Sequence, residues 1–386
     1  MATSLLGQRP IDSLRHDPTS PRRHIDVVSI VVTIGLTVFG MLAIYSAKHR
    51  DLVERGVDPY FYVKRQLVAT ALGLVLAVVI AAVDYRKWRD WAVPLFGLTT
   101  VLLAGVKVFG QNINGAQAWY QVGTFQLQPS ELAKVTLILG LAAYVAAVKG
   151  LDTWRRLSRL LLIAAVPCVL TLAQPDLGTT MVLGSITLAI LLVAGARGRH
   201  LAVLSMLAVA AVAIILGTGQ LKAYQEARLT TFLNPGAAAT PEAKGVANNL
   251  EQSQIAIGNG GLYGKGYLKG VQTNLSKVPE SQTDFVFSVI GEEFGFVGGA
   301  IMLGLFSILV LRIWRTAMIA RDDVGTYICV GAFAMVVIQV FENVGMTMGI
   351  MPITGIPLPL ISYGGSSTLA VFAMLGLVQS VHMHRY

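Results

Sequence analysis

The chain has 386 residues, of which 54% are hydrophobic and only 13% charged, with a formal net charge of +9 and a mean hydropathy of +0.63. These values exclude an ordinary soluble domain and indicate an integral membrane protein. The basic excess is spread over loops without a basic stripe interleaved with aromatics, which excludes nucleic acid as a partner; contact with anionic membrane lipid accounts for it better.

Apolar runs near the roughly 20 residues that span a bilayer recur at 25–47, 66–83, 91–110, 130–148, 158–174, 177–196, 200–217, 285–311, 326–346 and 361–381. They predict an all-α polytopic membrane protein of ten transmembrane helices. Residues 1–24 are polar, Pro-containing and Arg-rich, so they read as a cytoplasmic tail without a cleavable signal, the first helix serving as its own insertion signal. Residues 25–386 form a single transmembrane domain, with a large extracellular loop at 220–284 between helices 7 and 8. An even number of spans places both termini on one side. Arg22, Arg23, Arg86, Lys87, Arg89, Arg155, Arg156, Arg159, Arg312 and Arg315 mark that side as cytoplasmic by the positive-inside rule. The 48–65 loop dissents: it carries Lys48, Arg50, Arg55, Lys64 and Arg65, although the count places it outside. Either those charges meet an anionic ligand or the topology fails there. Cys168 and Cys329 lie within apolar spans, which argues against a disulfide.

In that first outer loop, Tyr60, Phe61 and Tyr62 run into Lys64 and Arg65. This pattern suits an aromatic belt with snorkelling cations or, for Arg65, a contact to a diphosphate. The 107–129 loop is rich in amides and aromatics and nearly uncharged. Trp119 and Tyr120 suit stacking on a sugar while Gln117, Gln121 and Gln128 bond its hydroxyls; an interfacial belt is the alternative. The loop ends in Gln128-Pro129-Ser130-Glu131-Leu132-Ala133-Lys134, where Pro129 suits the first helical position and Glu131 complements the helix dipole. Glu131 and Lys134 share a helix face, as a structural ion pair or as a pair facing a polar cavity. In Gln174-Pro175-Asp176-Leu177-Gly178, Asp176 is a natural N-cap, with substrate contact by Gln174 or Asp176 as the other reading.

Within the large loop, residues 246–257 place apolar groups among amides, predicting an amphipathic helix lying on the membrane. The Gly258–Gly270 run offers backbone amides for phosphate, with Lys265 or Lys269 supplying charge, or else tight turns; it lacks the Gly-Lys-Ser/Thr of a nucleotide loop. The stretch from Pro279 to Gly299 then leads Glu280, Gln282, Thr283 and Asp284 into a hydrophobic helix that carries Glu292 and Glu293. Carboxylates at membrane depth are costly and need a reason. Asp284 reads as a catalytic base at the membrane surface or as a helix cap, and Glu292 and Glu293 as deeper packing or gating residues. A helix starting there continues its face through Ser288, Gly291 and Gly295, beside which a groove for a lipid tail is expected. Further on, one span bears Gln339, Glu342 and Asn343. The 349–367 stretch, with Pro352, Pro357 and Pro359 and several glycines, cannot be a continuous helix. Irregular backbone at that depth requires surrounding protein or a watery cavity, so a re-entrant element reaching Ser362 is predicted.

Five ordered motifs resemble one family: Trp119 with Gln128-Pro-Ser-Glu131-Leu-Ala-Lys134, Gln174-Pro-Asp176-Leu-Gly, Ala256-Ile-Gly-Asn-Gly-Gly-Leu262, Thr283-Asp284-Phe with Gly291-Glu-Glu293, and Pro357-Leu-Pro-Leu-Ile-Ser362-Tyr-Gly-Gly-Ser. They are similar to the SEDS proteins (shape, elongation, division and sporulation), from about residue 25 to the end. Gly264-Lys-Gly-Tyr-Leu-Lys-Gly-Val-Gln272 and Ile353-Thr-Gly-Ile-Pro357 look more like the family's elongation members than its division members.

The resemblance implies a peptidoglycan glycosyltransferase of the bacterial inner membrane, acting at the external face. It would polymerise lipid II into a nascent glycan strand for cell-wall elongation and cell shape, with a class B penicillin-binding protein as partner. It also implies that Asp284 is the catalytic residue. An acceptor hydroxyl attacks the donor anomeric carbon with inversion, so one base and a stabilised undecaprenyl diphosphate leaving group suffice. Arg65, Lys134 and Lys265, or a divalent cation (Mg or Mn), are expected to offset the diphosphate charge; no organic cofactor is expected. Trp119, Gln128, Ser130, Glu131, Gln174, Asp176, Glu280, Gln282, Thr283 and Ser362 complete the expected substrate-binding set. A lipid II flippase or transporter is the rival reading, motivated by the broken backbone at 349–366 and the charges within spans.

Overall fold

A computed structural model describes residues 24–113, 116–123, 125–204, 206, 223–233, 240–275, 277–278 and 280–385. The expected tail, apart from His24, lies outside the described residues. So does most of the helix expected at 200–217, of which 200–204 and 206 are described, all helical.

The first half comprises α1 (Val27–Glu54), α2 (Phe61–Ala82), α3 (Tyr85–Asp90), α4 (Ala92–Phe109), strands β1 (Gln111–Ile113), β2 (Ala116–Val122) and β3 (Phe125–Leu127), α5 (Pro129–Val148), α6 (Trp154–Ala173) and α7 (Leu177–Val193). The second half comprises α8 (Ala223–Leu233), α9 (Pro241–Gly260), α10 (Val271–Asn274), α11 (Val286–Met318), α12 (Asp323–Met348) and α13 (Gly365–Met383). Eight of these, α1, α2, α4, α5, α6, α11, α12 and α13, are long and apolar enough to cross a membrane, and α7 is a shorter apolar helix of 17 residues. Together they account for nine of the ten expected runs.

Burial sorts them into layers. α13 is almost wholly enclosed, with α12 and α5 next, whereas α1, α2, α4, α6 and α11 keep most of their apolar surface turned outward. Outward apolar side chains such as Val75, Val93, Val101 and Ile301 are what lipid, unlike water, accepts without cost. The enclosed helices therefore set the geometry of the interior.

Several elements differ from expectation. α1 continues to Glu54 because carboxylates interleave with the bases of its outer end: Arg50–Glu54 at 2.8 Å, Arg55–Asp51 at 2.7 Å and Lys48–Asp51 at 3.5 Å. Lys64 pairs with Asp58 at 2.6 Å. Four of the five dissenting charges of the 48–65 loop thus meet acids of the same stretch, which neither reading of that loop foresaw. The 107–129 loop is not irregular but a three-stranded antiparallel sheet, in register Gln111↔Trp119 and Tyr120↔Leu127. Its strands are too short for alternation to reveal them. α9 does not lay its apolar face on the membrane: Leu250, Ser253 and Ala256 are buried against α11 and α12, and Leu250 joins Val278, Phe285, Met346 and Ile353 in a small separate core. Burying each of the larger members contributes roughly 1.5–3 kcal/mol, enough to hold the segment down.

The helix expected at 285–311 is broken. Gly295 takes φ 64°, ψ −161° inside α11, a conformation open to glycine and strained for other residues. The backbone bonds lost at the break are replaced by the glycine run. Lys265 and Gly266 donate their amides to the Glu292 and Glu293 carbonyls at 2.9 and 3.0 Å, and Phe296 and Val297 donate to the Gly261 and Leu262 carbonyls at 2.9 and 3.0 Å. Those amides are accordingly engaged in the fold and do not form the phosphate cradle that the glycines suggested. Gly260 of α9 lies against the Gly291 carbonyl, and Ser253 bonds Ser288 at 2.5 Å. The Ser288–Gly291–Gly295 face is filled by protein, and the lipid groove expected there is absent among the described residues.

Candidate active site

The turn that precedes α11 is built to hold one carboxylate. Glu280 takes a left-handed backbone (φ 49°), and its carbonyl accepts from the Thr283 and Phe285 amides at 3.0 and 3.3 Å. The irregular 349–364 segment clamps the same turn from the other side. The Ser362 hydroxyl donates to the Thr283 carbonyl at 2.5 Å, and the Tyr363 amide to the Gln282 carbonyl at 2.8 Å. Asn343 of α12 donates to the Asp284 carbonyl and to the Ile356 carbonyl, both at 2.8 Å. The proline-rich stretch is thereby surrounded by protein, as its lack of regular bonding requires.

The Asp284 carboxylate keeps an accessible face but is densely surrounded. Burial pushes its pKa up to about 6, with the Arg228 guanidinium pulling the other way and Glu280 adding to the rise. Burial in turn lowers Arg228 to about 10, opposed by Asp284 and then Asp176. The two groups converge on Gly355: a methyl placed there would stand 3.2 Å from Asp284 Oδ2 and 3.5 Å from Arg228 Nη2. Gly355 itself has φ 75°. A carboxylate with a pKa near neutrality beside a guanidinium can take up a proton and hold an anion in one place.

A second polar group adjoins it. Asp176 caps α7 as expected, accepting from the Thr179 amide at 2.9 Å and hydroxyl at 2.8 Å, and its Oδ2 also receives Gln128 Nε2 and Ser130 Oγ at 3.4 Å. Burial raises its pKa. Inside α5, Glu131 and Lys134 form a fully buried ion pair at 2.7 Å. Lys134 and Asp176 act electrostatically on Glu342 of α12. Both oxygens of Glu342, both polar atoms of Gln339, Glu131 Oε2 and Gln174 Oε1 are buried without hydrogen-bond partners. Buried polar atoms are rarely left so, and their clustering marks a chamber suited to water or a polar ligand. Gln174 is otherwise fixed by its amide on the Leu103 carbonyl at 2.8 Å.

The expected site residues therefore separate. Glu280, Gln282, Thr283, Asp284 and Ser362 lie in one turn and its clamp, and Gln282 and Thr283 also bond the exposed Glu280 carboxylate at 3.2 and 3.4 Å. Gln128, Ser130, Glu131, Lys134, Gln174 and Asp176 form the adjoining group. Arg65 is exposed on α2 and stacks on Phe61 at 4.3 Å. Lys265 is exposed, and its amide bonds the carbonyl of Glu292, eight residues beyond Asp284 and so about 12 Å along a helix. Trp119 is half-buried in β2. Tyr120, Gln117 and Gln121, expected at a sugar, are turned to backbone carbonyls of Leu102, Gly110 and Gly123. Glu292 accepts from the Gln272 and Thr273 amides and caps α10, while Glu293 takes the Ser46 hydroxyl; both read as packing residues. Arg228, in the short helix α8, went unselected by sequence, because only the fold brings it to Gly355. Among the described residues no group of three or more His, Cys, Asp or Glu is placed to hold a metal ion.

Fold and site together define a polytopic helical membrane protein with a buried cluster of polar and charged side chains beside one partly accessible carboxylate. The FtsW/RodA/SpoVE family model, described as "Cell cycle protein", matches residues 27–386, and the chain belongs to that family. It is 36% identical over 363 residues to peptidoglycan glycosyltransferase MrdB of Escherichia coli, covering 94% of each chain. It is 35% identical to stage V sporulation protein E of Bacillus subtilis, covering 94% of this chain and 97% of the relative. Among solved structures, a chain from "Structural coordination of polymerization and crosslinking by a peptidoglycan synthase complex" superposes with a TM-score of 0.78 at 33% identity, covering 94% and 98% of the two chains. Thermus thermophilus rod shape determining protein RodA does so at 0.69 and 32%, with the same coverage.

Proposed function

We propose that this chain is a RodA-like peptidoglycan glycosyltransferase of the bacterial inner membrane that polymerises lipid II into glycan strands for cell-wall elongation. The pairing of Asp284 with Arg228 around Gly355 carries this reading. Asp284 removes the proton from the acceptor sugar hydroxyl as that oxygen bonds to the donor anomeric carbon. The bond from that carbon to the diphosphate breaks, and undecaprenyl diphosphate leaves with the electron pair. Arg228 replaces the expected Arg65 and Lys265 as the cation beside the base, and its fork suits phosphate oxygens. Lys134 is the further buried cation of the adjoining group. No step is routed through a divalent metal.

Both termini are assigned to the cytoplasm and the Asp284 turn to the external face, on the basic residues at the opposite helix ends. A class B penicillin-binding protein is the proposed partner, since the best-superposing relative above comes from a complex that couples polymerisation to crosslinking. In purified, lipid II-supplied protein, Asp284→Asn is expected to insert normally and give no polymer; polymer at the unmodified rate would refute the assignment. The unpartnered chamber around Glu342 and Gln339 is the observation that favours lipid II translocation instead. A protein that moved lipid II across liposomes and made no polymer would establish that second reading.

A further inference from the structure

The glycine run does not reach the catalytic turn, and its position along the helices suggests another role. Asp26 at the start of α1 is gripped by the Arg312 fork of α11 at 2.7–3.1 Å, which marks one polar boundary of the bundle. From that level Leu42 is sixteen residues up α1 and Phe296 sixteen up α11, about 24 Å each at 1.5 Å per residue. Ser46 and Glu293, which bond one another, stand about 30 Å up, the thickness of a hydrocarbon core. The Tyr267 hydroxyl donates to the Leu42 carbonyl at 3.3 Å, and the Gly261 and Leu262 carbonyls bond Phe296 and Val297. The tip of the run is therefore pinned a few ångströms inside the second boundary.

At that depth Leu262 is 65% and Tyr263 82% exposed, continuous with Phe296 at 70% on the outward face of α11. Lys265 and Lys269, both exposed, follow where their ammonium groups reach the headgroup layer. We infer that residues 261–269 form a wedge seated in the outer leaflet, with Leu262 and Tyr263 among the upper acyl carbons and Lys265 and Lys269 at lipid phosphates. Gly261, Gly264 and Gly266, all at positive φ, let the chain turn sharply enough to keep the tip there. The replaced hydrogen bonds of the α11 break fix the wedge, so the break and the anchor are one construction. This inference is independent of the glycosyltransferase reading, because its test reports position and not activity.

The full chain carrying Tyr263→Trp, and separately Leu262→Trp, is reconstituted in phosphatidylglycerol-containing vesicles, and its fluorescence is compared with the unsubstituted protein. The added signal is expected to be quenched by lipid brominated high on the acyl chain at least about twofold more than by lipid brominated near the chain end or by aqueous acrylamide, as for an interfacial residue. Stronger quenching by acrylamide for both variants would overturn the proposal. So would loss of the lipid quenching when a penicillin-binding protein partner is co-reconstituted, which would make the patch a protein interface.

Discussion

Asn343, fully buried on α12, ties the Asp284 carbonyl to the Ile356 carbonyl through one side-chain amide, 2.8 Å to each. The Asp284 turn and the proline-broken segment are thus held at a fixed separation. Asn343→Leu leaves both carbonyls without that donor, at about 1–3 kcal/mol for each buried group left unsatisfied. The expected outcome is a lowered thermal midpoint in detergent together with a drop in polymer formation. A variant that unfolds earlier yet polymerises normally would show that the bond serves stability alone.

Asp284 gives the site its pH dependence. With its pKa at about 6, the base is mostly ionised at neutral pH, and the rate is expected to fall on the acid side of that value. Arg228 is the larger of two influences that lower it, ahead of the Thr283 hydrogen bond, so Arg228→Gln should move the acid limb to higher pH and reduce the rate at pH 7. A pH–rate profile left in place by that substitution would remove Arg228 from the account.

The same shift has a sign for stability. The folded pKa of Asp284 lies above the ordinary aspartate value of 3.8. Whatever the group contributes to stability is present in full below the unfolded value and is lost as pH rises through about 6. Ionised Asp284 therefore costs stability at pH 7–8. Asp284→Asn is expected to abolish polymerisation while raising the unfolding free energy there by about 3 kcal/mol, the free-energy equivalent of a pKa at about 6 instead of 3.8. The gain should vanish below about pH 4, which a melting series across pH will read.

Gly355 lies against both the Asp284 carboxylate and the Arg228 guanidinium. Gly355→Ala adds a methyl 3.2 Å from Asp284 Oδ2 at a backbone φ of 75°. Left-handed backbone costs a non-glycine residue roughly 1–2 kcal/mol, and the carboxylate must shift by a few tenths of an ångström. Activity is expected to fall more than that stability loss accounts for, measured as polymer yield at a temperature well below the melting transition.

Nine spans among the described residues were legible because hydrocarbon imposes a length and an apolar composition on each helix; ion pairs such as Arg55–Asp51 extended α1, and Gly295 broke α11. The Asp284 turn was legible as a candidate because Asp284 sits where a polar cluster meets an apolar run. Arg228 was not, because a single arginine in a short helix becomes informative only once folding brings it to Gly355. The role of the glycine run was also hidden. Its amides bond the carbonyls of a helix more than twenty residues later, and neither periodicity nor spacing registers a break repaired from outside the helix. Lys265 was assigned to the diphosphate on charge alone, and its placement beside the break separates it from Asp284.

The Glu131–Lys134 pair offers the last test, because it separates charge balance from chemistry. Both side chains are essentially inaccessible and bond at 2.7 Å, and Lys134 is also the cation acting on Glu342. Removing one partner of a buried pair typically costs about 3–5 kcal/mol, since the other charge stays behind unpaired. Lys134→Met should therefore destabilise strongly, leaving both Glu131 and Glu342 without it. Adding Glu131→Gln removes one of those charges and is expected to restore part of the loss. Adding Glu342→Gln should restore more of it, if three neutral side chains fill the chamber as well as the charged set. A chamber that serves substrate would keep the triple variant inactive despite its recovered melting temperature. Recovery of polymer formation alongside stability would instead assign these three residues to packing.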